Sequence, residues 1–344
     1  MLLRGNINVS TPPPVDKCNG AGINCNAAIR FLQLENISVL DVIRAFISVG
    51  YPNEFYPLLN GVKIYKLLKV LGFFYIFQNR KNYFYLKDFI YDMDSSEKVQ
   101  LSYELGMVFA HLISQRKENV VWTLHLSNLK KINGSLDVNM VNPQSKQKPD
   151  LIAMDTNKNF YVIEAKGTLE ECKSREIAKA FAQVCSIKIN GNSPYKRYIS
   201  YFIGERNTPI LVVFIDPEEQ GQINVKLDID RLIEFHYQKL LQILLTKEET
   251  KKIKMDKFTF RGITIGVDIS KEVFEQGIFT SIFIGLEEEI FNYLKDIKRN
   301  SENRRKNCEK IIKRSKHLKK LMENEDFTKD TISLGTDGII VKGI

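Results

Sequence analysis

The chain has 344 residues, 44% of them hydrophobic, which is enough for two domains or one elaborated domain around a real core and excludes a disordered protein. Lys and Arg number 50 against 41 Asp and Glu, a formal net charge of +9, which admits an acidic partner such as nucleic acid but also reflects a composition rich in Lys and Asn. No apolar run approaches the roughly 18 residues of a membrane span, and Met1-Leu2-Leu3-Arg4 leads into Gly, Asn and Ser rather than a signal core, so a soluble, cytoplasmic protein is expected.

Residues 1–30 contain Thr11-Pro12-Pro13-Pro14 and little periodicity, and read as a flexible arm. Residues 31–97 read as a small helical and hairpin region. Ser38 with Asp41 three positions later has the form of a capping box, followed by Val39, Val42, Ile43 and Phe46 at helical spacing. A second helix is expected over Gly61 to Leu71. Two aromatic strands, Phe73 to Phe77 and Tyr83 to Leu86, then flank the polar turn Gln78-Asn79-Arg80-Lys81-Asn82. Helices followed by such a hairpin resemble a winged helix, with Lys63, Lys66, Lys69, Arg80 and Lys81 as its basic residues; a plain packing subdomain with solvated lysines fits equally well.

From about 100 to 117, Leu101, Leu105, Val108 and Leu112 share one helix face, and Glu104 sits at the edge of that stripe. Gly106 in the helix interior costs stability but allows a neighbouring element to approach closely. Val120 to Leu126 and Leu136 to Val141 read as strands. Two apolar runs then surround the short turn Asp155-Thr156-Asn157-Lys158-Asn159: Asp150-Leu151-Ile152-Ala153-Met154 and Phe160-Tyr161-Val162-Ile163-Glu164-Ala165-Lys166-Gly167, an antiparallel hairpin.

A turn centred near Asn157 puts position 150 opposite position 164. Asp150 and Glu164 then face each other with Cβ atoms roughly 4.5 to 5.5 Å apart, a destabilising pairing unless a cation neutralises it. Alternation places Lys166 on the same face as Glu164. Two carboxylates and an ammonium suit phosphodiester hydrolysis: ligands for Mg²⁺, with Mn²⁺ expected to substitute, and a lysine to orient or deprotonate the attacking water. A solubilising cross-strand pair on a surface hairpin is the bland alternative.

Beyond Pro217, a helix is expected over Ile229 to Leu245, strands over Phe258 to Ile269 and Ile278 to Ile284, and a long helical stretch from Leu286 to Met322, interrupted near Asn300. Residues 295–320 hold twelve Lys and Arg against three Asp and Glu, an excess that equals the net charge of the whole chain. Such a helix can neutralise phosphates without reading sequence, and it can equally be a solvated helix or meet an acidic partner subunit. Ser333 to Ile344 can add an edge strand. The five cysteines (Cys18, Cys25, Cys172, Cys185, Cys308) form no CxxC pair, and the four histidines (His111, His125, His236, His317) form no metal-binding spacing. Zinc chemistry is therefore not expected, Cys18 and Cys25 lacking a second half.

Pro149-Asp150, thirteen residues, then Glu164-Ala165-Lys166 resembles the signature of the restriction-endonuclease-like nucleases known as the PD-(D/E)XK superfamily. The resemblance covers roughly residues 98–217, about a third of the chain. It implies an α-β-β-β-α-β core with a mixed sheet, an α/β (α+β) fold, flanked by the N-terminal region and a basic helical extension over 218–344. It implies Asp150, Glu164 and the Ala165 carbonyl as Mg²⁺ ligands, Glu104 as a further acidic ligand and Lys166 as the residue that positions water. The family core continues with a helix, here opened by Ser174 with Ile177, Phe181, Val184 and Lys188 in register. Gln183 matches a glutamine of several branches, but the companion tyrosine is missing because position 187 is Ile.

The expected function is a metal-dependent DNA endonuclease, with Lys148, Lys173, Arg175, Lys179, Arg304, Arg305, Lys313 and Arg314 as candidate nucleic-acid contacts. By analogy its setting is restriction or antiviral (anti-phage) defence, with cutting by a homodimer. No GxxxxGK[ST] loop is present, so an ATP-driven step needs a partner ATPase or helicase. A non-cleaving DNA-binding module on the same fold and an RNA-directed nuclease are the rival readings.

Overall fold

The structure, a computed structural model, describes residues 3–11, 32–49, 69, 72–73, 75–126, 148–171, 174–185, 187–217, 223–225, 227–237, 240, 259–260, 263–264, 266–268, 282–299, 301–324 and 332–343. The described elements are, in order, β1 (Arg4–Ser10), β2 (Leu32–Ser38), α1 (Val39–Ser48), β3 (Phe77–Arg80), β4 (Tyr83–Leu86), α2 (Ser95–Glu118), β5 (Val120–His125), β6 (Leu151–Asp155), β7 (Phe160–Thr168), α3 (Ser174–Cys185), β8 (Ile187–Ile189), β9 (Lys196–Ile203) and β10 (Leu211–Ile215). After these come β11 (Ile223–Val225), β12 (Thr259–Phe260), β13 (Ile263–Thr264), β14 (Gly266–Asp268), β15 (Ile282–Leu286), α4 (Glu288–Arg299), α5 (Arg304–Asn324), β16 (Ile332–Leu334) and β17 (Ile339–Gly343). Residues 229–237 are also helical.

The fold is mixed α/β. Its main sheet has nine strands in the order β3-β4-β1-β10-β9-β7-β6-β5, with β2 paired to β1. β5, β6 and β7 form an antiparallel meander, whereas β7 and β9 are parallel, as a connection through the helix α3 permits. A four-stranded sheet, β14-β15-β17-β16, carries the C-terminal part of the chain. Among the described residues no helix is long and apolar enough to cross a membrane.

The arm expected over residues 1–30 is corrected by β1. Ile7 and Val9 alternate into the core with no exposed surface, and β1 pairs with both β10 and β2. The hairpin of residues 77–86 forms, with Lys81 and Asn82 both at positive φ as a two-residue type I′ turn requires. It is not a separate wing: Tyr83 pairs with Asn6, so the hairpin extends the main sheet. Its first strand starts only at Phe77, the flanking residues 72–73 and 75–76 being helical. The helix expected over Gly61 to Leu71 lies outside the described residues except for Lys69.

The capping box forms. Ser38 Oγ accepts from the Asp41 N–H at 3.1 Å and Asp41 Oδ2 from the Ser38 N–H at 2.8 Å, which starts α1 at Val39. α2 is longer than expected, capped by Asp94 at its start and ended by Asn119 in the left-handed conformation. α3 stops at Cys185. Lys188 therefore falls in β8, paired with β11, and not in the helix. The strand expected over Leu136 to Val141 lies outside the described residues.

β5 ends the main sheet, and its open edge is covered. The Thr123 N–H donates to His236 Nδ1 at 3.1 Å from the helical residues 229–237, while His236 also meets Asp337 at 3.2 Å. The Tyr237 hydroxyl donates to the Asp337 carbonyl, and the Trp122 indole N–H donates to that hydroxyl. An unsatisfied edge strand invites pairing with other chains, and this polar cluster closes it. The C-terminal end is not one edge strand. It is the β16–β17 hairpin, with β17 inside the second sheet between β15 and β16.

Candidate active site

The site begins with a turn. Asp155 Oδ1 accepts from the N–H groups of Asn157 and Asn159 at 2.8 and 2.9 Å, and Lys158 takes the left-handed conformation with φ 67°. These bonds fix the β6–β7 register, which pairs Leu151 with Ile163. One residue further on, Asp150 stands opposite Glu164. The Asp150 N–H donates to Glu164 Oε2 at 3.1 Å, and the Ala165 N–H donates to Asp150 Oδ2 at 3.1 Å. The two carboxyl groups are within hydrogen-bond reach of each other.

Lys166 completes the group by donating its ammonium to Glu164 Oε1. Glu164 has no exposed surface. Burial, with the charge of Asp150 next, pushes its pKa up to about 8, and burial likewise raises Asp150. Burial works against the Lys166 ammonium, but Glu164 and Asp150 outweigh it and hold its pKa above the ordinary lysine value. Glu164, buried, and Asp150, half-buried, share one ammonium, so ionising both leaves an uncompensated negative charge, which a divalent cation would offset.

The donor set suits such an ion. In an extended strand the N–H and C=O of one residue point the same way, so the Ala165 carbonyl faces the Asp150 side along with its N–H. Two carboxylates and a carbonyl are hard oxygen ligands of the kind Mg²⁺ takes, with waters filling the rest of its shell. Among the described residues, no group of three His, Cys, Asp or Glu side chains is gathered as a metal cage.

Glu104 is where this set stops. A Cβ on Gly167 would lie 1.9 Å from the Ser102 carbonyl oxygen, and one on Gly106 would lie 2.7 Å from the Lys166 carbonyl oxygen, so α2 rests directly on β7. The direction of that Gly167 contact puts α2 on the face of Ile163, Ala165 and Gly167. Phe202, the β9 neighbour of Gly167, stacks on Phe109 of α2 from the same side. Glu164 and Lys166 therefore face the other way, toward α3, where Tyr201, the neighbour of Lys166, donates its hydroxyl to Glu176. Glu104 is 4% exposed, as its place beside the buried stripe suggests, but its Oε1 accepts from Lys69 and, at 2.6 Å, from Gln100. It is near the pair without joining it: the Tyr103 phenol, raised above its ordinary pKa chiefly by burial, is acted on by Asp150, Glu164 and Glu104 together.

Gln183 lies on α3 and donates to the Lys148 carbonyl at 2.8 Å, two residues before Asp150, so it anchors the segment that enters the site. The fold also brings Lys69, Gln100, Tyr103, Glu176 and Tyr201 to the neighbourhood of the site, and their sequence surroundings do not mark them for it. An acidic residue in the first turn of a helix, as Glu176 is, ordinarily answers the helix dipole.

The candidate nucleic-acid contacts divide. Arg175 and Lys179 are exposed on α3, Lys148 is half-buried, and Lys173 lies outside the described residues. Arg314 is corrected: it is bound to the buried Glu287 at 3.0 Å and to Glu289 at 3.4 Å, and holds α5 to the start of α4. Arg304 is likewise engaged by Glu234 at 3.2 Å. Arg305 and Lys313 are exposed, and with Lys306, Lys316 and Lys320 they fall within an arc of about 100° at 3.6 residues per turn. Glu309 sits within that stripe and is paired with Lys158 at 2.6 Å. The stripe thus touches the turn end of the β6–β7 hairpin, five strand residues or about 17 Å from Asp150. Cys185 and Cys308 are buried and form no disulfide among the described residues, and Cys18, Cys25 and Cys172 lie outside them. No family model, curated protein or solved structure matches this chain, so the functional reading rests on the site's own geometry.

Proposed function

We propose that the chain is a metal-dependent nuclease of the PD-(D/E)XK type that hydrolyses phosphodiester bonds in DNA. The observation that carries this reading is the Asp150–Glu164 pair, a half-buried and a buried carboxylate held opposite each other by backbone hydrogen bonds from Asp150 to Glu164 and from Ala165 to Asp150, with the Lys166 ammonium on the same face. A purely structural hairpin gains nothing from burying like charges opposite each other.

Asp150, Glu164 and the Ala165 carbonyl would hold Mg²⁺. When bound, Mg²⁺ supplies Lewis acidity toward the phosphate and acidifies a water. Lys166 stays protonated at neutral pH, so it orients the attacking water and offsets charge that builds on the phosphate, rather than acting as the base. Gln183 fixes the approach of the chain to Asp150. The exposed basic stripe of α5 would take the substrate backbone at a distance from the reacting bond.

The test is an assay of the purified chain on duplex, nicked and single-stranded DNA and on RNA, with Mg²⁺, Mn²⁺ or EDTA. Metal-dependent cleavage of DNA, lost in Lys166→Ala, is the expected result. Cleavage confined to RNA would reassign the substrate. Tight DNA binding without cleavage in any metal would make the chain a binding module.

A further inference from the structure

The face of the main sheet that carries Glu164 and Lys166 does not end at the site. Residues side by side in neighbouring strands share a face, and the register carries this one across the sheet. Lys166 lies beside Tyr201 and Tyr201 beside Val213; two residues back along β10, Leu211 lies beside Asn8. From β1 the face continues to Leu34 and Asn36 of β2 and, through Asn6, to Tyr83 of β4, whose partner in β3 is Arg80. Ring contacts give the same assignment independently. Phe84, between Tyr83 and Tyr85, meets Phe77, which meets Phe109 of α2, so Phe84 points to the α2 side and the two tyrosines to the side of Lys166.

Burial changes along this face. Tyr201 and Val213 have no exposed surface, whereas Asn6, Asn8, Tyr83 and Tyr85 are half-buried and Leu34 and Asn36 exposed. The far part of the face thus shows solvent two phenol rings and a set of side-chain amides. The Arg80 guanidinium lies 5.5 Å from the Tyr85 ring centroid, with Asp88 at 3.4 Å, and Lys81 is exposed at the hairpin turn beside it. β1 is three strand spacings from β7 and β4 one more, about 14 to 19 Å from the line of the site. Rings and amides on a flat strand surface, with cations at its margin, match unpaired nucleotides. Each unpaired base has a free π-face to stack and polar edges to meet amides, whereas a duplex hides its base faces in its own stack.

We propose that this part of the sheet face holds an unpaired stretch of the DNA strand, its bases stacked on Tyr83 and Tyr85, so that the substrates are DNAs with single-stranded segments. This inference rests on the nuclease reading above and names its substrate class.

Fluorescence anisotropy of a labelled oligothymidylate, and of a duplex of the same length, tests this on the full chain in EDTA, where neither is cut. Wild type is expected to bind the single strand more tightly than the duplex. Tyr83→Ala with Tyr85→Ala is expected to lose about fivefold or more for each ring on the single strand and to bind the duplex as wild type does. Tyr83→Phe with Tyr85→Phe, which keeps both rings, is expected to bind both DNAs as wild type does. Photocrosslinking of wild type to a strand carrying 5-bromodeoxyuridine needs no variant, and its crosslinks are expected within residues 78–85. A folded alanine variant with wild-type affinity for the single strand overturns the proposal. So do crosslinks that all fall outside residues 78–85. Single-strand binding that depends on the two rings, without cleavage of any DNA in Mg²⁺ or Mn²⁺, leaves this surface standing and overturns the nuclease reading instead.

Discussion

The Asp150 N–H donates to Glu164 Oε2 while Asp150 Oδ2 accepts from the Ala165 N–H, so the backbones of the two strands hold both carboxylates in a position that costs free energy without a cation. Glu164 titrates at about 8 in the folded chain against an ordinary 4.5. The folded state then binds more protons than the unfolded state between these values. Stability from this group is full below about pH 4.5 and is lost as pH rises through 8, a difference on the order of a few kcal/mol. Glu164→Gln should therefore raise the melting temperature of the metal-free protein at pH 7.5 by several degrees while abolishing cleavage. Mg²⁺ should raise the melting temperature of wild type and leave that of Glu164→Gln unchanged. Thermal melts from pH 5 to 9, with and without Mg²⁺, measure both effects.

Lys166 separates metal binding from chemistry. Its ammonium contacts Glu164 and is not itself a ligand, so Lys166→Ala should still bind Mn²⁺. Cleavage should fall by roughly 10² to 10⁴-fold, the usual contribution of one positioned group in proton transfer or charge stabilisation. Single-turnover cleavage at saturating metal measures it. A Lys166→Ala enzyme that regains full rate simply on raising the Mg²⁺ concentration would show that the lysine serves metal affinity alone.

The hairpin is legible in the sequence because its signals are local. Asp155, Asn157 and Asn159 lie within five residues and set the register, and period-2 alternation does the rest. The depth of Glu104 is legible from helical periodicity, and the close approach at Gly106 from a glycine inside an otherwise regular helix. The partner that neutralises Glu104 is not, because Lys69 is 35 residues away in sequence and only the tertiary fold brings it there. β1 is obscured by the proline run beside it, although Gly5, Ile7 and Val9 already alternate inward. The basic count over 295–320 does not distinguish Lys313, exposed, from Arg314 one position later, which is consumed by the buried Glu287.

Gly167 and Gly106 form a backbone-to-backbone seat between α2 and β7. At Gly167 a methyl group would meet the Ser102 carbonyl oxygen at 1.9 Å, and neither partner is a side chain that can swing aside. Gly167→Ala should cost about 3 kcal/mol or more, at the upper end of overpacking penalties, and Gly106→Ala about 1 to 3 kcal/mol. Urea unfolding of both variants measures this. Because Lys166 precedes Gly167, the folded fraction of Gly167→Ala should also lose activity beyond what its reduced stability explains.

The α5 stripe should govern affinity and not the chemical step. Arg305, Lys313 and Lys316 are exposed on one helix face, and that face meets the hairpin at Lys158, about 17 Å from Asp150 at 3.3 to 3.4 Å per strand residue. Each phosphate that is no longer neutralised should reduce the slope of log affinity against log salt by about 0.9 on duplex DNA. Lys313→Ala with Lys316→Ala should therefore weaken binding several-fold at moderate salt, equally on unrelated sequences, and flatten the slope by nearly two. Arg314→Ala should instead lower stability, since it strands the buried Glu287 without its counterion. Binding isotherms across a salt series, with cleavage rates measured at saturating enzyme, separate the two. If the double variant loses single-turnover rate at saturation while keeping its salt slope, the stripe acts on the site and not on the substrate backbone.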